Sequence, residues 1–148
     1  VSKLIESMSL ATNLPELTII GRVAAATFIG LLIGLERHQN GKIAGVRTYS
    51  TMALGTSLLT VLAIHFFGGE QQVFVLAATI VGLAVVSSKI SVIENDGRPE
   101  FSNMVALWTT GAVSIAIAYG MYILGAGSAF ILLAIYLVKD LIEEKTEK

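Results

Sequence analysis

The chain has 148 residues, of which 54% are hydrophobic and only 14% charged, with a mean hydropathy of +0.75. An average soluble domain carries about 25% charged residues, so a water-soluble bundle is the poorer reading. A net charge of −1 without a basic patch argues against a nucleic-acid partner, and the lack of cysteine excludes a thiol nucleophile, disulfides and cysteine metal ligands.

The N-terminal VSKLIESMSLATNLPEL lacks the basic start and unbroken apolar core of a cleaved leader. Thr12 or Asn13 is expected to cap a helix, with Pro15 in its first turn. The first apolar segment is Leu17 to Leu35, whose 19 residues rise about 28 Å as a helix, close to the thickness of a bilayer core. Arg22 is its only charge, and it reads either as an interface anchor or as part of a buried polar site.

A second span is expected from Tyr49 to Phe67, stopped by Gly68 and Gly69. The third runs from Val73 to Ile93, with Lys89 near its end and the same two readings as Arg22. The loop NDGRPEFS follows, where Pro99 bars a continuous helix. Its acids Glu94, Asp96 and Glu100 surround Arg98 and read better as a solvated loop than as a cation site. A fourth span is expected from Asn103 to Leu124, a tight turn at GAGS (Gly125 to Ser128), and a fifth helix from Ser128 to Ile142. The fifth has a short apolar core that calls for tilt or local thinning of the bilayer.

These segments are continuously apolar and lack the alternation of barrel strands, and helices satisfy their own backbone in lipid. The fold class is therefore all-α, a polytopic membrane helical bundle of five transmembrane helices forming a single domain over 1–148. With five spans, Arg37, Lys42, Arg47, Lys89, Arg98 and the lysines of the tail share one side. The positive-inside rule then puts the N-terminus outside and the C-terminus inside.

The stretch GLERHQNGKIAGVRT, from Gly34 to Thr48, concentrates charge between the first two spans. Glu36 lies where the helix macrodipole disfavours an acid, and Arg37, Lys42 and Arg47 are candidate partners. Three readings stand: an inside loop, a structural Glu36–Arg47 clamp, or a ligand or partner site. Gly41 and Gly45 permit sharp turns. Ala26, Gly30 and Gly34 form a small-residue face suited to close packing, within the protomer or in a homodimer. His38 and His65 do not make a zinc motif, and no nucleotide loop or catalytic triad is present, so no enzyme activity and no cofactor are expected. Trp108 reads as packing or interface anchoring, and Thr109 and Thr110 as helix-packing hydroxyls.

GLLIGLERHQNGKIAGVRTYSTMALGTSL, Gly30 to Leu58, resembles the N-terminal membrane domain of the MgtC/SapB family, and NMVALWTTGAVSIAIAYG, Asn103 to Gly120, resembles a later segment of it. Glu36, Arg37, Gly45, Arg47 and Thr48 match the early motif; Trp108 and Thr109 match the later one. The resemblance implies a multi-pass helical domain of the bacterial inner membrane, in a family several of whose members are linked to magnesium limitation or virulence. It favours a regulator with an integral-membrane partner over a small cation transporter or channel. One departure is plain. Where the family commonly has a glycine-rich GIGFLGAG-like segment, this chain reads TIVGLAVVSSKISVI and keeps only Gly82, with Ser87, Ser88 and Lys89 as a different polar ending.

Overall fold

A computed structural model describes residues 2–42, 44–89 and 101–146. The described residues form five helices and no strand: α1 Ser2–Gln39, α2 Val46–Phe66, α3 Glu70–Lys89, α4 Phe101–Ala118 and α5 Tyr122–Thr146. Among the described residues three segments are long and apolar enough to cross a membrane, Glu16–Gln39, Val46–Phe66 and Glu70–Lys89. The apolar stretches Ser102–Ala118 and Tyr122–Val138 are shorter, about 26 Å each at helical rise. Large apolar side chains such as Phe28, Phe74, Ile123 and Phe130 face outward, as expected of a bundle whose solvent is lipid. The loop acids Glu94, Asp96 and Glu100 lie outside the described residues.

α1 departs from the sequence expectation at both ends. It runs through Thr12, Asn13 and Pro15 instead of starting there, and it continues to Gln39, carrying Glu36 and Arg37 on its last turns. The connector to α2 is thereby reduced to residues 40–45. Gly41 closes α1 at φ +69, with the Gly41 and Lys42 amides donating to the His38 and Arg37 carbonyls, a paired arrangement that satisfies the helix's last acceptors. Gly69, at φ +56, follows α2 as anticipated.

The boundary between the fourth and fifth helices is a correction. The turn falls at Tyr119–Met121, not at GAGS. Gly120 takes φ +84, and the Gly120 and Met121 amides donate to the Ile117 and Ala116 carbonyls. Gly125 instead lies inside α5, buried where any Cβ would collide with Ile117 of α4. Glycine there serves a close helix crossing, not a bend. A Gly120→Ala change is expected to cost about 1–2 kcal/mol, the penalty of a Cβ in the left-handed region, read as a lower midpoint in an SDS unfolding titration.

α4 is the hub, touching each of the other four helices. Its buried residues Ala106, Leu107, Val113 and Ile117 meet Ala26 and Ile33 of α1, Tyr49 of α2, and Ala129, Leu132 and Tyr136 of α5 in one core. α1 and α2 share the most extensive contact, made by the small-residue face. A Cβ on Gly30 would lie 2.6 Å from the Ala53 Cβ, and one on Gly34 would lie 2.7 Å from the Val46 Cα. This face is filled from within the protomer.

Candidate functional site

Most of the buried polar residues of the bundle fall into two kinds; Ser87, whose hydroxyl is buried without a partner, belongs to neither. Ser57, Thr60, Thr79, Thr110 and Ser114 each donate to a carbonyl of their own helix at 2.7–3.1 Å. This is how hydroxyls are accommodated in apolar helices. The second kind converges on Arg37.

Arg37 stands on the last two turns of α1 and is only 2% exposed. Its Nη2 donates to Ser102 Oγ at 2.7 Å and to Asn103 Oδ1 at 2.8 Å, both at the start of α4. Its guanidinium carbon lies 4.3 Å from the centroid of the Tyr136 ring of α5, in cation–π range. The Tyr136 hydroxyl donates weakly, at 3.5 Å, to the Ser102 carbonyl. The Tyr49 hydroxyl of α2 adjoins the same guanidinium without a hydrogen bond of good geometry. Arginine suits this position: Nη2 alone bonds two acceptors while the planar face of the guanidinium stacks on an aromatic ring. Four helices are thus gathered around one side chain.

Glu36 is half-buried beside this cluster. One carboxylate oxygen accepts from Asn40 Nδ2 at 2.6 Å, a bond one turn along the chain. The other oxygen is buried and, like Arg37 Nε and the Tyr49 hydroxyl, has no hydrogen-bond partner. The Glu36–Arg47 clamp is not formed. Among the described residues no ion pair joins the two, and Arg47 is exposed on the first turn of α2, where its side chain flanks a shallow depression shared with His38, Gly45, Val46 and Thr48. Arg47→Ala is therefore expected to leave stability within about 0.5 kcal/mol of the parent, measured by the same unfolding titration.

The other sequence candidates separate in space. Arg22 is half-buried midway along α1, toward the opposite end of the Glu16–Gln39 segment from Arg37. Its Nη1 donates to the Ala118 carbonyl at 3.3 Å, and its guanidinium packs on Gly120. A cation there caps the carbonyl-rich end of α4 and complements its dipole. Gly45 precedes α2, and its carbonyl accepts the Thr48 and Tyr49 amides. Thr109 bonds the Val105 carbonyl of its own helix at 2.8 Å. Trp108 is partly exposed between α3 and α4, and Lys89 is exposed at the end of α3. Among the described residues, no three histidine or acidic side chains gather as a metal site.

Sequence reasoning singled out Arg37 but not its partners Ser102, Asn103, Tyr49 and Tyr136. The available signal was weak: two adjacent polar residues, Ser102 and Asn103, at the head of an otherwise apolar helix.

The MgtC family profile matches residues 23–145. SrpB of Synechococcus elongatus is 28% identical over 129 residues, covering 77% of this chain and 71% of its own. The putative magnesium transporter YhiD of Escherichia coli K12 is 28% identical over 126 residues, covering 79% of this chain and 58% of its own. MgtC of Brucella abortus is 26% identical over 99 residues, covering 67% of this chain and 42% of its own. The chain thus spans about half the length of the latter two relatives. No solved structure matches. With the profile spanning both the α1–α2 motif and the α4 segment that hold Arg37, the chain belongs to the MgtC family.

Proposed function

We propose that this chain is a multi-pass protein of the bacterial inner membrane, acting in magnesium homeostasis as a regulatory or interaction protein and not as an ion conduit or an enzyme. One observation carries the choice: the buried charge of the bundle is a cation. Arg37 is enclosed by four helices, and among the residues whose burial is described no Asp or Glu is fully buried, Glu36 being half-buried with one carboxylate oxygen enclosed. A magnesium route needs oxygen ligands, commonly carboxylates, and tolerates retained water. A buried guanidinium repels a divalent cation, and most interior hydroxyls, those of Tyr49 and Ser87 excepted, are already committed to helix carbonyls. The resemblance to a relative named a putative magnesium transporter favours the alternative, a small cation transporter.

In the interaction reading, the basic rim where Arg47 and His38 face outward engages an integral-membrane partner. The charge distribution supports a cytoplasmic position for this rim. Purified full chain in sealed liposomes is expected to give no Mg²⁺ flux at any imposed voltage. A partner co-purified from native membranes is expected to be lost on Arg47→Glu, a change at an exposed position. Substrate-dependent Mg²⁺ flux above empty liposomes would overturn this reading in favour of transport.

A further inference from the structure

Two openings lie along the seam between α1 and α2. One is the depression at the rim, about 330 Å³, flanked by the exposed side chains of His38 and Arg47. The other is an apolar groove of about 560 Å³, walled by Ala24, Thr27 and Leu31 of α1 and by Leu54 and Leu58 of α2. Leu54 and Leu58 are exposed, so the groove opens sideways to lipid.

Helical spacing aligns the two openings. Leu54 and Leu58 follow Arg47 by seven and eleven residues, and Leu31 and Thr27 precede His38 by the same numbers. At 3.6 residues per turn these are close to two and three full turns. On each helix, therefore, the rim residue and the groove residues share one face. The groove walls stand about 10 and 16 Å from the level of the rim. The 21 residues of α2 rise about 30 Å, the thickness of the hydrocarbon core. Arg47, on the first turn, marks the edge of that core, and Leu58 reaches its midplane.

An apolar groove by itself accepts any hydrocarbon. The cation on the same face at its head makes the choice. A guanidinium stays charged at any physiological pH, and its fork matches phosphate oxygens. The occupant must therefore combine an anion at the interface with an apolar tail about 16 Å long. We propose that the α1–α2 seam binds one anionic glycerophospholipid. Its phosphate meets Arg47 and the His38 imidazole, and one acyl chain runs down the seam into the groove between Thr27 and Leu58. The site shares Arg47 and His38 with the interaction reading. It rests on that reading only for the place of the chain in a bilayer.

The full chain, purified in detergent, is offered equimolar phosphatidylglycerol and phosphatidylcholine with identical acyl chains, and retained lipid is counted by native mass spectrometry. One phosphatidylglycerol is expected to be kept in preference. Arg47→Ala, at an exposed position, should lower that preference about fivefold, the share of one basic residue at an anionic surface. Ala24→Phe fills the groove from an exposed position and should lower retention of both lipids. Lys89→Ala removes an exposed cation from the end of α3, which does not touch α1, and should change neither. Equal retention of the two lipids by the parent would overturn the site. So would a loss on Lys89→Ala as large as on Arg47→Ala, which is the mark of diffuse attraction. Displacement by an equal concentration of glycerol phosphate, an anion without chains, would also overturn it. A photo-cross-linker placed at Leu58 in native membranes is expected to capture lipid, and capture of a protein helix would overturn the lipid assignment. The lipid counts use purified protein without a partner, so their failure leaves the interaction reading standing.

Discussion

Replacing Arg37 by alanine is expected to destabilise the fold by about 1.5–3 kcal/mol, the range for hydrogen bonds to a charged group. The structural reason is the number of dependencies on one group: two charge-assisted hydrogen bonds to α4, a cation–π contact to α5, and packing against Tyr49 of α2. Arg37→Lys is expected to recover only part of this, since an ammonium keeps the charge but not the planar stacking face. The check is the SDS unfolding midpoint in detergent, extended to a double-mutant cycle with Asn103→Ala. A coupling energy of about 1–3 kcal/mol is expected between the two positions. Simple additivity would show that the 2.8 Å contact contributes little.

The second large effect concerns the glycines, and it has opposite signs at different sites. Gly34→Ala is expected to cost about 1–3 kcal/mol, as overpacking does. Its Cβ would stand 2.7 Å from the Val46 Cα and 3.1 Å from the Val46 nitrogen, and a backbone cannot step aside as a flexible side chain can. Gly30→Ala meets the Tyr49 carbonyl oxygen at 2.8 Å and should behave alike. Gly55 and Gly82 border a groove of about 510 Å³ between α2 and α3, and a Cβ at either meets nothing within 4 Å. Alanine there is expected to be neutral or to stabilise by up to about 1 kcal/mol through helix propensity. Parallel unfolding titrations of the four variants test the contrast. A uniform loss across all four would show that composition alone, not the α1–α2 crossing, governs these positions.

The existence and number of the helices were legible in the sequence because continuous apolar runs of bilayer length admit few other structures. Their ends were less so. GAGS reads locally as a turn, but glycine also serves where helices cross closely, and only the position of Ile117 decides between the two for Gly125. The true turn, at Gly120, sits in a sequence no more turn-like. The charged stretch after α1 was recognisable as special, and Arg37 was among its candidates. Its partners lie 65 and 66 positions away, and a single sequence carries no sign of which apolar helix will bring a serine and an asparagine to it. Charge complementarity pointed instead to Arg47, which is near in the chain but turned outward.

Arg22 and Arg37 are fifteen positions apart on α1, and the α4 groups they hold, the Ala118 carbonyl and Asn103, are also fifteen apart on the opposing helix. At helical rise, each pair of points is separated by about 22 Å. A rod fastened to its neighbour at two matching points can neither slide along it nor pivot about either one. A shift of α1 against α4 by a single turn, about 5.4 Å, would have to release both fastenings together. The α1–α4 pair is thus the stator of the molecule. Among the described residues, α3 and α5 each touch two other helices and lie outside this fastened pair.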